Sequence, residues 1–194
     1  NLTTSGAITN SVASTISGTT TLNADENNIT LDLANELGTV SVTSADDLTL
    51  VDASTLSLGA ISGVTGDLVA TATAGNIEIN NAITTTGTQL YNSAVTLAAA
   101  ANLTGSTVTF GSTIDGAYNL DITGNAVFGG LVGDTTPLTS LDVLSSGTTA
   151  FNAVGTVANP SVQTTAAQSY TGVITLGANT FLEGTAITLG STAT

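Results

Sequence analysis

The side chains able to do chemistry in this sequence are of one kind. All 14 charged residues are Asp or Glu, and Lys, Arg, His and Cys are absent. Carboxylates without a basic partner have two chemical uses: acid and base in glycoside cleavage, and oxygen ligation of a hard cation such as calcium. For calcium, the candidates are the cluster Asp25, Glu26, Asn27, Asn28 and the cluster Asp46, Asp47, Asp52. Neither has the spacing of an EF-hand loop or of the Gly-Gly-x-Gly-x-Asp nonapeptide. For acid and base work, the adjacent pairs are Asp25-Glu26 and Asp46-Asp47. Neighbours in an extended strand point to opposite faces, so adjacency does not converge two carboxylates on one substrate. A lyase would further need a cation to stabilise the developing carboxylate charge. The expectation is a chain without catalytic residues or a resident cofactor, calcium being the one ligand these acids could hold, and otherwise solvated corners.

The missing residue types exclude more. Without Lys, Arg or His there is no imidazole base, no Schiff-base amine and no cationic surface to neutralise a nucleic-acid backbone. Without Cys there is neither a disulfide nor a thiolate zinc site. No run of 18 apolar residues is present, so no membrane-inserted helix is expected. Hydrophobic residues make up 41% of the chain, charged residues only 7% and aromatics only 4%. Such a chain folds rather than staying solvated, but it lacks the bulky side chains of a single globular core.

The elements that must position these residues are short strands. Apolar side chains alternate with polar ones in Ile29 to Leu33, Val40 to Val42, Leu48 to Leu50, Leu56 to Leu58, Ile77 to Ile79 and Val95 to Leu97. The same pattern recurs in Val108 to Phe110, Leu120 to Ile122, Leu141 to Val143, Ile174 to Leu176 and Ile187 to Leu189. Period two is the mark of a half-buried strand. Gly, Asn, Asp, Ser and Thr punctuate these runs and supply the turns. Ile29, Leu48 and Leu68 open strands 19 and then 20 residues apart. A turn of about 20 residues with two or three short strands describes a parallel β-solenoid. At about 4.8 Å per turn the chain makes about 10 turns and a rod of about 48 Å. Leu97 and Leu176 should face its interior.

A longer repeat lies over the short one. Residues 83–115 align without a gap on 162–194, so that Gln89 meets Gln168, Tyr91 meets Tyr170, Gly105 meets Gly184 and Gly111-Ser112-Thr113 meets Gly190-Ser191-Thr192. This 79-residue repeat is read as four turns, with Tyr91 and Tyr170 packed at equivalent edges. The second copy is cut short at Thr194 and the chain has no Met, so residues 1–194 read as one solenoid segment of a longer array. Thr-x-Thr pairs at Thr71 to Thr73 and Thr107 to Thr109 do not recur in register, which argues against a flat ice-binding face.

Segments such as Gln168-Ser169-Tyr170-Thr171-Gly172-Val173-Ile174-Thr175-Leu176, and Gly75 to Ile79 with Ala82 to Thr85, resemble the repeats of filamentous-haemagglutinin-like exoproteins. These are large adhesins exported by two-partner secretion in Gram-negative bacteria. The resemblance implies a right-handed β-helix, an extracellular or cell-surface location and a role in adhesion, aggregation or a biofilm matrix. The family's secretion domain carries Asn-Pro-Asn-Leu, whereas Asn159-Pro160 is followed here by Ser161-Val162, so that domain is not placed in this chain. The function expected is a non-enzymatic shaft of a secreted adhesin or matrix fibre. The alternatives are a subunit stacking end to end into an extracellular filament, and a carbohydrate-active β-helix. The partners expected are neighbouring solenoid turns or copies of the chain end to end, with surface glycans or proteins as further candidates. Both ends are polar and uncharged, and neither shows a capping pattern.

Overall fold

In a computed structural model, residues 1–144 and 147–190 are described; they form 23 strands and no helix. Every pairing between strands is parallel and joins residues about one turn apart. The molecule is a β-solenoid of about 9 turns with roughly 20 residues per turn, one turn fewer than the sequence arithmetic gives. Residues 191–194, on which the end of the 79-residue repeat falls, lie outside the described residues.

Three stacks of strands form three faces. On the first face Leu22, Val42, Ile61, Ile83, Leu103, Ile122, Val143, Tyr170 and Leu189 lie one above the other. The second face stacks Ile29, Leu48, Leu68, Gln89, Val108, Ala126, Thr149 and Ile174. The third stacks Leu56, Ile77, Val95, Ile114, Val132, Val162 and Leu182. All eleven alternating runs read from the sequence lie in strands. The alternation works as a half-buried strand requires: Ile77 and Ile79 are fully buried while Glu78 between them is not. Between faces the chain must bend sharply where the turn beneath lies close. Gly124, at φ +136°, makes such a bend, and a Cβ there would strike the Gly105 carbonyl oxygen of the turn below.

An aromatic ladder runs through the core of the second face. Tyr91 stacks on Phe110 at 5.2 Å between ring centroids, Phe110 on Phe128 at 5.8 Å and Phe128 on Phe151 at 5.4 Å. Tyr170 meets Phe151 edge-on, with an interplanar angle of 87°. The change from stacked to perpendicular has a simple cause: Tyr170 projects from the first face and Phe151 from the second. Each such contact adds about 0.5 to 1.5 kcal/mol beyond the area it buries.

The 79-residue repeat is therefore not a whole number of turns. Ile83 stacks with Leu103 on the first face, whereas its counterpart Val162 stacks with Val132 and Leu182 on the third. Eleven strand positions separate them, which is three turns and two faces. The local environment is nonetheless reproduced. Tyr91 Oη donates to Gln89 Oε1 and Tyr170 Oη to Gln168 Oε1, both at 2.9 Å. Gln89 Nε2 donates to the Thr104 carbonyl at 2.8 Å, and Gln168 Nε2 to the Glu183 carbonyl at 2.7 Å. Tyr91 and Tyr170 thus occupy matching environments on different faces, both fully buried.

Leu97 is 2% exposed, as its alternating run implies, but Leu176 is 47% exposed. Leu176 continues the ladder column above Phe151 and pairs on that side only; among the described residues no strand lies on its other side. Phe128, flanked by two rings, and Leu176, flanked by one, give opposite expectations. Phe128→Ala should cost about 3 to 5 kcal/mol, whereas Leu176→Asp should lower the thermal midpoint by no more than a few degrees. Thermal melts followed by circular dichroism check both.

Candidate functional site

Asp25-Glu26 and Asp46-Asp47 come to one corner of the rod, without Asp52. Asp25 and Glu26 sit in an exposed bend after the strand Thr20–Asn23, both with left-handed backbones at φ 50° and 64°. The Asp25 amide donates to Asn23 Oδ1 at 3.0 Å and the Glu26 amide to Ser44 Oγ at 3.1 Å. Asp46 and Asp47 occupy the same corner one turn on, and Asp67 the turn after that. A side-chain acceptor of each turn receives the backbone N–H of the next. Asn28 Oδ1 accepts from the Asp47 amide at 3.3 Å, Asp47 Oδ1 from the Asp67 amide at 2.9 Å, and Asp67 Oδ1 from the Thr88 amide at 2.6 Å. Asp46 Oδ1 accepts the Thr65 hydroxyl at 3.2 Å. At corners the backbone leaves the sheet ladders, and unpaired N–H groups there are costly to leave unsatisfied.

Asp52 departs from the expectation of a solvated corner acid. It is fully buried at the far end of the second face, stacked on Asn35. Its Oδ2 accepts the Leu37 amide at 2.6 Å, and its Oδ1 accepts the Ser54 amide at 2.7 Å and the Ser54 hydroxyl at 3.0 Å. Those donors take the place of a counterion. Asn35 is equally buried, its Nδ2 donating to the carbonyls of Leu31, Leu33 and Val51. The structure therefore separates Asp52 from Asp46 and Asp47, and among the described residues no three acids come close enough to hold a metal ion together. At the corner between the third and first faces Asp115 Oδ1 plays the same capping part, accepting the amides of Thr135 and Thr136 at 2.8 Å each.

Acids within strands stack less comfortably. Asp121 and Asp142 are register partners on successive turns of the first face. Partial burial, and then the charge of Asp121, push the Asp142 carboxyl above its usual pKa. Tyr91 and Tyr170 are pushed well above the ordinary phenol value by burial, with Asp142 adding to the effect at Tyr170. Neither ring is available to stack on a sugar, and of the three tyrosines only Tyr118 is exposed.

Sequence reasoning paired the Gln-x-Tyr motifs but missed that Phe110, Phe128 and Phe151 join them in one stack. The signal was available. Five of the seven aromatic residues, Tyr91, Phe110, Phe128, Phe151 and Tyr170, recur at about one turn's spacing.

The first 44 residues match a family model described as repeats of unknown function (DUF5649). No curated protein and no solved structure matches the chain. The matched segment spans the first two turns of the solenoid, including Asn10, Asn35 and the Asp25-Glu26 bend.

Two substitutions separate capping from charge. Asp67→Ala, which strands the Thr88 amide, should cost about 1 kcal/mol or more, and Asp67→Asn, which keeps a neutral acceptor but loses the charge, should cost less than the alanine variant; chemical denaturation measures both. A second expectation concerns pH. A carboxyl whose pKa is raised by folding opposes the fold while ionised and ceases to do so as pH falls through that raised value. Asp142→Asn should therefore raise the melting temperature at neutral pH, and the gain over wild type should shrink as pH falls toward the upper carboxylate range.

Proposed function

We propose that this chain is a non-enzymatic structural solenoid, a shaft segment of a secreted adhesin or extracellular matrix fibre. The observation that carries the reading is how the carboxylates are used. Asp47, Asp52, Asp67 and Asp115 each accept backbone N–H groups of a neighbouring turn or bend. Groups committed to holding turns together are poorly placed to serve a reaction. The buried polar side chains behave alike: Gln89, Gln168 and Asn35 all donate to carbonyls inside the rod. A uniform stack lengthens without changing its cross-section, which is what a spacer between a cell and a distant contact requires. The resemblance of the Gln168 to Leu176 and Gly75 to Ile79 segments to filamentous-haemagglutinin-like repeats supplies the extracellular, Gram-negative part of the proposal.

The location is tested with an epitope tag in the exposed bend 156–159, which lies outside the strands. Antibody should reach the tag on intact producing cells; staining that needs permeabilised cells overturns the surface reading. A rod with 14 negative charges and no positive side chain repels itself, and salt screens that repulsion over about 8 Å at physiological ionic strength. Its thermal midpoint should rise with NaCl, contrary to that of a fold held by surface ion pairs.

A further inference from the structure

We infer that the outward side of the second face is a self-association surface, on which a second copy of this chain lies side by side and antiparallel. This goes beyond the shaft reading and stands apart from it: a surface-exposed chain that stays monomeric would overturn the inference alone. Further turns at either end would lengthen this face rather than cover it.

Regular stacking makes this face flat. Its outward column runs through successive register partners from Thr30 by way of Val69, Leu90, Thr109 and Val127 to Thr175. Leu48–Asp52, Leu68–Ala72 and Gln89–Tyr91 pair residue for residue. The first face slips in register between Val40 and Val42 and between Ile83 and Thr85, and the third is joined at Val132 only by isolated bridges. Inside the same strands, the stacked rings of Tyr91, Phe110, Phe128 and Phe151 back the column.

Charge and area favour a second copy as the occupant. The column carries no acid, whereas Asp121 and Asp142 stand in one outward column of the first face, and Glu78 and Asp115 in one of the third. Two copies pressed together on either of those faces would bury carboxylates, and the chain has no cationic side chain to compensate them. The second face offers instead Val69, Leu90, Val127 and Ala150, all partly exposed, among threonines. A strip about 38 Å long and about 16 Å wide gives roughly 1,200 Å² for a pair, above the roughly 1,000 Å² that a specific interface requires.

The acids at the rim of the face fix the orientation. Asp47 and Asp67 stand just before Leu48 and Leu68 at one edge, whereas Thr88, Thr107, Asn125 and Thr148 hold that edge in later turns. An antiparallel pair therefore lays the acidic part of each rim on the neutral part of the other. A parallel pair would set Asp32, beside Leu31 at the opposite edge, against the Asp25-Glu26 bend of the other copy.

Sedimentation of the 194-residue chain from micromolar to sub-millimolar concentration tests the surface. Leu90→Asp and Thr109→Asp each place a charge at its centre, and Thr104→Asp places the same charge on the exposed side of the first face. Far-UV circular dichroism verifies that each variant stays folded; Thr109 is polar and outward, so its variant serves if Leu90→Asp loosens the turn. Wild type should reach a dimer, either face variant should associate about tenfold more weakly or worse because an unpaired charge would be buried in the contact, and Thr104→Asp should match wild type. Orientation is read with introduced cysteines, since the chain has none of its own, and a thiol cross-linker of about 10 Å, the spacing of packed sheets. Thr49→Cys mixed with Ala150→Cys should cross-link, and Thr49→Cys alone should not. Four results would overturn the inference: a wild type monomeric at every concentration, a folded face variant that dimerises like wild type, a Thr104→Asp chain weakened as much as the face variants, or cross-linking of Thr49→Cys alone in place of the mixture.

Discussion

Each turn of this protein lies on the one before it through parallel backbone hydrogen bonds in nearly constant register, and that pairing dictates what every position can hold. A side chain on one turn faces its counterpart on the next, so columns become uniform. Leu over Leu over Leu is compatible with a narrow interior, and a ring over a ring is compatible once the first ring is in place. Fully burying such an aliphatic side chain is worth roughly 1.5 to 3 kcal/mol, and the column geometry makes that gain recur at every turn. Where a column changes chemistry, a local partner compensates. Gln89, inserted between Leu68 and Val108, brings Tyr91 as its hydrogen-bond donor. Thr149 is the exception, its hydroxyl buried between Ala126 and Ile174 without a partner among the described residues.

The same geometry gives the acids partners other than cations. A conventional surface offsets its acids with Lys and Arg, but here many acids stand at corners where the sheet ladder breaks and the next turn offers a free N–H. Asp115 receives two amides in this way, Asp67 the amide and hydroxyl of Thr88, and Asp52, inside the rod, two amides and a hydroxyl. Charge-assisted bonds of this type are stronger than neutral ones. Asp121 and Asp142 show the limit of the device, since strand positions in mid-face offer side chains no free N–H and stack like on like.

Much of this was legible in the sequence because alternation within a strand and the recurrence of strand starts from turn to turn are both carried by neighbouring residues. Ile77-Glu78-Ile79 announces both its strand and its inward face. What lay beyond reach depended on which residues meet across turns. Asp52 looks like Asp46 in sequence, but alternation from Leu48 and Leu50 places it inside, two positions further along the same strand. Leu176 alternates like Leu97 and differs only in having a column neighbour on one side. Four turns at the spacing from Ile29 to Leu48 to Leu68 come to about the length of the long repeat, so spacing alone implies whole turns. Later turns are uneven: Val143 and Tyr170 are register partners although the whole bend 152–160 lies between them.

That unevenness gives the repeat a handed consequence along the rod. Since one repeat advances three turns and two faces, a feature and its copy sit at different azimuths, one third of a revolution apart, as Gln89 and Gln168 do. In any array built on this unit, equivalent outward features trace a screw around the axis and return to the same azimuth only at every third repeat. A flat surface lying along such a rod would touch one repeat in three, while partners approaching from all sides would find equivalent positions in every direction.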